Sequence, residues 1–483
     1  MATAVAARPV ANRLRPLYAT GFIHGFALWY SIEKLFMRSI GLNDYLITIA
    51  TLVYIVVMMV ATIPLGILAD RWSRKGVLYL ATCALIASSL IGGLSHGLAM
   101  YAAGISLWGL FYAGYAGTYD SVIYDVVLEE TGSADSFERF YGRVQMFNSA
   151  AIITAALLSA VVARFGSLRL EYFLTIPLTC CAFATLHRFR EPRLHRTAPK
   201  AHLPDHLGQI LRAMTRADVA WIVLALVANC LAMRLLIEFF QFWYLGLALP
   251  AVWYGPSCAL LYVGAWSGGA LADKLRGGRT VLIAGFGTLA VTGGLFVRDA
   301  VLVIGAQVAV IIGITVLNIT LARYLHDAMP SNIRAGASSV ASTLGYGIFL
   351  PTALGFGLLS RARGIFEASV FVVVPIGVIC MALVRARRRA QRPQRCPQRP
   401  QPMEPLEERG SSGVYRGRSV IALADLSGSP AHTGIRGPTH VTSRPLTSVD
   451  DRSADDVDLG RDHRPDPAGS GKHRGAGDRA LPV

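Results

Sequence analysis

Gly66-Ile67-Leu68-Ala69-Asp70-Arg71 closes a long apolar run with an acid and a base, and Arg74 and Lys75 follow at once. A second copy, Gly269-Ala270-Leu271-Ala272-Asp273-Lys274, closes another apolar run ahead of Arg276 and Arg279. An apolar run ending in a basic cluster is the pattern of a membrane-spanning helix that surfaces on the cytoplasmic side and turns back. Its recurrence in the two halves of so apolar a chain points to a transporter built from two bundles.

Composition agrees. The 483 residues are 53% hydrophobic and 16% charged, with a mean hydropathy of +0.46. Soluble domains carry about 25% charged residues, so this is the composition of a polytopic membrane protein. The formal charge of +16 does not indicate nucleic-acid binding, because the basic residues cluster in short segments between apolar runs and in the tail. Of the seven cysteines, all but Cys396 lie in apolar stretches without metal-ligand spacing, and they read as small helix-packing residues. Arg8, Arg13 and Arg15 precede an apolar run that lacks a small-residue cleavage site, so that run is read as a retained first helix and not a signal peptide.

A span needs about 20 mostly apolar residues. Tyr45 to Ala69, Val144 to Ala163, Ala300 to Ala322 and Ala335 to Ser360 contain no Asp, Glu, Lys or Arg. Gly76 to Tyr119 is uncharged but too long for one crossing, and Ser95-His96-Gly97 divides it. Pro250 separates a helix begun near Asp218 from one ending at Ala272. Thr280 to Val297, Ala368 to Val384, Leu17 to Met37 and Tyr172 to Leu186 complete twelve predicted helices.

With the amino terminus inside, the cytoplasmic segments of this topology hold twenty-four basic residues. The outside holds six: Arg38, Arg164, Arg169, Arg298, Arg361 and Arg363. The bias places both termini in the cytoplasm. The expected organisation is an all-α membrane protein. A six-helix bundle (1–187) and a second (218–384) flank a basic central loop (188–217) containing Pro192, Pro199 and Pro204, and a basic, polar tail (385–483) follows. That tail has scarcely any apolar run and is expected to be disordered.

Over residues 10 to 390 the chain resembles the major facilitator superfamily. The signature Gly-x-Leu-Ala-Asp-Arg-x-x-Arg-Lys is met by Gly66, Leu68, Ala69, Asp70, Arg71, Arg74 and Lys75, with Ser73 where a Gly is common; the second copy is looser, with Lys274 for the arginine. The resemblance implies that Gly66, Asp70, Arg71, Arg74, Lys75, Gly269, Asp273 and Lys274 form cytoplasmic gating loops. It also implies that the two halves rock to give alternating access. Elementary physics supplies the same role, because a glycine lets a partner helix come close and an aspartate then faces that helix's positive amino terminus. Drug–proton antiporters of this family usually carry an arginine in helix four and a Gly-Pro pair in helix five. Neither occurs here, which weakens proton-driven drug export.

A charge at bilayer depth costs about 2.5 kcal/mol or more and needs a partner, a cavity or a function. Arg234 and Glu238, four apart, share a helix face, with Asn229 and Gln241 nearby. They are the leading candidates for substrate or coupling-ion contact, a structural ion pair being the rival reading. Glu33 and Lys34 are adjacent and point about 100° apart. Lys34 is therefore expected to snorkel to the interface while Glu33 faces the cavity with Trp29. Near the end of helix four, Asp125 and the glutamates that follow are expected to pair with loop arginines, and Asp120, one turn deeper, is the proton-carrier candidate beside a gating role.

No nucleophile elbow, phosphate loop or zinc-protease motif occurs, so neither enzymatic activity nor a cofactor is expected, and uphill transport must draw on an ion gradient. The expectation is a monomeric secondary transporter of the cytoplasmic membrane, moving a small organic solute with a proton rather than sodium as coupling ion, export favoured over uptake. A receptor or scaffold that keeps the bundle without transporting is the alternative.

Overall fold

The computed structural model describes residues 2–390 except 133–135, 193–202, 218, 273, 276–277 and 330–333. Asp273 and the tail from 391 onward therefore lie outside the described residues. All regular structure within the described residues is helical. The first half comprises α1 (Ala2–Gly25), α2 (Glu33–Ser39), α3 (Asp44–Arg71), α4 (Arg74–Leu94), α5 (Leu98–Thr131), α6 (Phe137–Phe165) and α7 (Leu168–Arg188). A short α8 (Leu203–Met214) leads to α9 (Ala220–Gly246), α10 (Tyr254–Ala272), α11 (Gly278–Val291), α12 (Ala300–Ala328), α13 (Arg334–Arg363), α14 (Ile365–Ala368) and α15 (Val370–Ala390).

Local chemistry sets several of the boundaries. Asn43, Ser73 and Asp299 cap α3, α4 and α12, accepting from Leu46 N at 3.0 Å, Gly76 N at 2.9 Å and Leu302 N at 2.9 Å. Among the described residues nine helical stretches are long and apolar enough to cross a membrane. The other three sequence-predicted spans differ for identifiable reasons. The first, 17–37, is broken by Phe26-Ala27 and a 3-10 turn at Leu28–Ile32. The remaining two, α5 and α10, dilute their apolar residues with glycine, serine and tyrosine.

Two further differences concern boundaries. The central segment contains α8, whose Ile210 and Met214 pack with Leu325, Ala337 and Ala341. The last helix runs past Val384 to Ala390, because arginine is a good helix former and positive charge is favoured at a helix C-terminus.

The buried side chains show how the halves meet. One large core mixes residues of both, from Trp29, Phe36 and Tyr54 to Phe239, Trp243 and Phe356. The remaining clusters each stay within one half, around Leu17 and Tyr119 in the first and around Leu317 and Ile379 in the second. Contact between the halves thus concentrates away from the signature loops, at what we call the far end.

Two glycines permit that contact. A Cβ on Gly357 of α13 would stand 2.7 Å from Thr48 Cβ of α3, and one on Gly255 of α10 would collide with the Ala156 carbonyl of α6. Alongside, Ser360 Oγ donates to Asp44 Oδ2 at 2.6 Å. At the signature end, no described atom comes within 4 Å of a Cβ built on Gly66 or Gly269. Overpacking a close contact costs about 1–3 kcal/mol. Gly357→Leu is therefore expected to lower the unfolding temperature of the purified protein, whereas Gly269→Leu leaves it within error.

Candidate functional site

The 3-10 turn at Leu28–Ile32 interrupts the first helix where it faces the second half. In an unbroken helix Lys34 N would donate to Tyr30 O. Here the carboxamide of Gln241, from α9, stands between them: Lys34 N donates to Gln241 Oε1 at 2.9 Å, and Gln241 Nε2 donates to Tyr30 O at 3.0 Å. One side chain from the second half thereby completes a backbone ladder in the first. The break is also held from within its own half, where Leu28 N donates to Thr175 Oγ1 at 3.2 Å.

Around this splice lies a polar layer in an apolar surround. Lys34 Nζ lies 3.0 Å from Glu33 Oε2 and donates to Thr51 Oγ1 at 3.1 Å, while Tyr101 OH donates to Glu33 Oε1 at 3.1 Å. The expected snorkelling of Lys34 does not occur. The side chain is 1% exposed and pairs with its own neighbour, because the two long side chains, starting about 100° apart on α2, bend together where Thr51 and Tyr101 complete their hydrogen bonds. Trp29 is buried away from an open path, stacked on Tyr172 and donating to Ser89 Oγ at 3.2 Å.

One turn along α3 from Thr51, Tyr54 OH donates to Glu238 Oε1. Arg234 Nη1 donates to the same oxygen at 3.3 Å, and its guanidinium lies over and donates to Tyr346 of α13. Arg234, Glu238 and Gln241 thus form one stripe of α9 facing the first half, and Tyr262 OH to Tyr30 OH at 3.2 Å adds another bond across the divide. The two ion pairs make the layer neutral. Arg234 is its open member, with 25% of its side chain exposed.

Asn229, on the same helix, is not part of this group. It donates to Asn318 Oδ1 of α12 at 3.2 Å, and its own Oδ1 is buried with no hydrogen bond among the described residues. Asp120 is likewise apart, exposed on α5 near Tyr141.

In the signature loop, Ser73 caps α4 and donates to Glu191 Oε2 at 2.7 Å, and the Trp72 indole lies over Gly76. Arg74 pairs with Asp125 and approaches Asp70 at 3.6 Å. Lys75 Nζ donates to the carbonyls of His187 and Phe189 at 3.0 and 2.8 Å, clasping the end of α7. Arg71 and Lys274 are exposed, and the Asp70 side chain is 71% exposed. Glu129 and Glu130 pair with Arg13 at 3.1 and 2.7 Å.

Sequence reasoning passed over Glu171. It is fully buried in the first turn of α7, where Ser159 Oγ donates to Oε2 at 2.6 Å and Ser31 Oγ, in the 3-10 turn, donates to Ser159 at 2.8 Å. The predicted span began at Tyr172, one residue too late to register the acid. The tyrosines of the layer gave no signal beyond being aromatic in apolar runs.

The family model of the Major Facilitator Superfamily matches residues 17–351. The chain belongs to that superfamily. No curated protein matches its sequence. Among solved structures, this superfamily member is similar to a bacterial homolog of the human lysosomal transporter Spinster in an inward-facing, occupied conformation. The TM-score is 0.61 at 15% identity, covering 79% of this chain and 97% of that one. It is similar also to the nucleoside transporter NupG, with TM-score 0.62 at 13% identity over 78% and 98% of the two chains. A D-xylose–proton symporter gives 0.57 at 13% over 79% and 97%. At these identities the likeness is one of fold, that of a multi-pass membrane transporter.

Removing one member of a buried ion pair costs about 3–5 kcal/mol. Lys34→Met is therefore expected to destabilise the purified protein strongly, and Glu33→Gln added to it to recover most of the loss, as read from thermal unfolding in detergent.

Proposed function

We propose that this chain is a secondary transporter of the cytoplasmic membrane, which moves a small organic solute by alternating access between two six-helix halves, 1–187 and 218–384. In this reading α5, α10 and the broken first helix join the nine apolar stretches as spans, so that twelve helices cross and both termini lie in the cytoplasm. The segment 188–217 links the halves, and the protein works as a monomer. The observation that carries the reading is the polar layer joining the halves at the far end, through Gln241, Tyr54–Glu238 and Tyr30–Tyr262. Polar groups inside a bundle mark solute and ion paths.

The state described is then closed outside and open to the cytoplasm. Arg234, the least buried charge of the layer, contacts the solute, and its ring partner Tyr346 supplies a flat face beside it. Glu238 is the proton carrier: a proton on its carboxyl weakens its hold on both Arg234 and Tyr54, loosening the seal between halves. Glu33 and Gln241 line the same path at the layer, Asn229 lines it nearer the signature end beside Asn318, and Asp120 is a second carrier toward that end. Export is favoured over uptake. In the opposite state Gly66 and Gly269 admit partner helices, and Asp70 and Asp273, flanked by Arg71, Arg74, Lys75 and Lys274, latch the cytoplasmic end. Names of similar proteins, a nucleoside transporter and a D-xylose–proton symporter, supply the first solutes to test.

Flux into proteoliposomes, with and without an imposed pH gradient, tests the proposal. Wild type is expected to accumulate at least one solute of a nucleoside and pentose panel in response to the gradient, and Glu238→Gln to retain binding while losing that response. Sodium dependence without pH response removes the proton. A charge at a helix terminus is worth up to about 2 kcal/mol, so Asp70→Asn is expected to fold normally and lose flux by roughly tenfold.

A further inference from the structure

A groove of about 820 Å³ runs along the outer surface between α11 and α15, within the roughly 300–1,000 Å³ typical of small-molecule sites. On α11 its wall is Arg279, Leu282, Ile283, Phe286 and Gly287, the i, i+3, i+4, i+7, i+8 stripe of one helix face; on α15 it is Val384, Arg387 and Arg388. The two helices touch beside it, where a Cβ on Gly285 would meet Cys380 Sγ and Leu383 at 3.4 Å. Because α11 begins where α15 ends, its three arginines gather at the signature end, and the apolar residues continue toward the bilayer centre.

We infer that this groove binds an anionic phospholipid, the phosphate held by Arg279, Arg387 and Arg388 and an acyl chain lying along Leu282, Ile283 and Phe286. Three observations support this occupant. Arg279 and Arg388 are exposed and none of the three arginines has an acidic partner among the described residues. Ile283 and Phe286 are 72% and 49% exposed, so they offer bare apolar surface for an acyl chain to cover. At Gly287 nothing stands within 4 Å of a would-be Cβ, which leaves the groove unobstructed. Charge at one level and oil below it is the pattern of a lipid molecule standing in its leaflet, and basic pockets between spanning helices recognise anionic headgroups. The amino terminus of α11 adds positive potential at the same level. The inference rests on the membrane placement and is independent of the solute carried.

The test is native mass spectrometry of the full chain in detergent, titrated with phosphatidylglycerol or with phosphatidylcholine of the same acyl chains. A basic residue near the headgroups is worth about 1 kcal/mol, or roughly fivefold in affinity. Wild type should therefore bind phosphatidylglycerol at least tenfold more tightly than phosphatidylcholine. Arg387→Gln should lose about fivefold of that preference, and Arg279→Gln/Arg387→Gln/Arg388→Gln should abolish it. Arg361→Gln, at the far end, should retain it. Ile283→Ser/Phe286→Ser should weaken both lipids. Equal binding of the two lipids by wild type, or a preference that survives the triple substitution, overturns the inference. Full displacement of phosphatidylglycerol by sn-glycerol 3-phosphate also overturns it, by identifying a site for soluble phosphate.

Discussion

Inside a bilayer a helix has to satisfy its own peptide groups, and the first helix of this protein does so with a side chain from the opposite half. Gln241 fills the gap between Tyr30 O and Lys34 N. Each group left bare would cost about 1–3 kcal/mol, so the far end stays shut as long as the first helix stays broken. In the proposed alternating-access cycle, the halves separate at least cost when the helix re-forms its own bond from residue 34 to residue 30 as Gln241 withdraws. A seal of this kind is bistable, since either arrangement satisfies both groups and intermediate ones do not.

The rest of the layer follows from that splice. Glu33 and Lys34 pair with each other at the start of α2, and Thr51 and Tyr101 complete their hydrogen bonds. Gln241 fixes the face of α9 that meets the first half, and Glu238 and Arg234, three and seven residues earlier, share that face. Tyr54 then binds Glu238 from α3, the helix whose other end carries Asp70. Seal and signature loop thereby share one helix, with Pro64 between them, a physical route by which events at one end bias the other.

Much of this architecture is legible in the chain. Uncharged runs such as Tyr45 to Ala69 announce spans, and the two Gly-x-Leu-Ala-Asp phrases announce the duplicated plan. Arg234 and Glu238 declare themselves as charges where charges are expensive. The break at Phe26-Ala27 was not legible, because no proline marks it and the side chains that complete the interrupted ladder, Thr175 and Gln241, lie far off in the sequence. Nor was the course of Lys34, whose side chain is held inside by the adjacent Glu33 and by Thr51 of α3. Glu171 was hidden by a boundary one residue too late, and the cap formed by Ser73 appeared in the sequence only as the loss of a glycine.

The central claim is that far-end contact must break for solute to cross, and a removable lock between Thr48 and Gly357 tests it most directly. A Cβ at residue 357 would stand 2.7 Å from that of residue 48, so a disulfide forms there once the two helices separate by about 1 Å. In a background free of the native cysteines, the pair Thr48→Cys/Gly357→Cys is to be oxidised, assayed for flux in proteoliposomes, then reduced and assayed again. The account predicts that oxidation abolishes flux and that reduction restores it. Undiminished flux with the cross-link complete would contradict it.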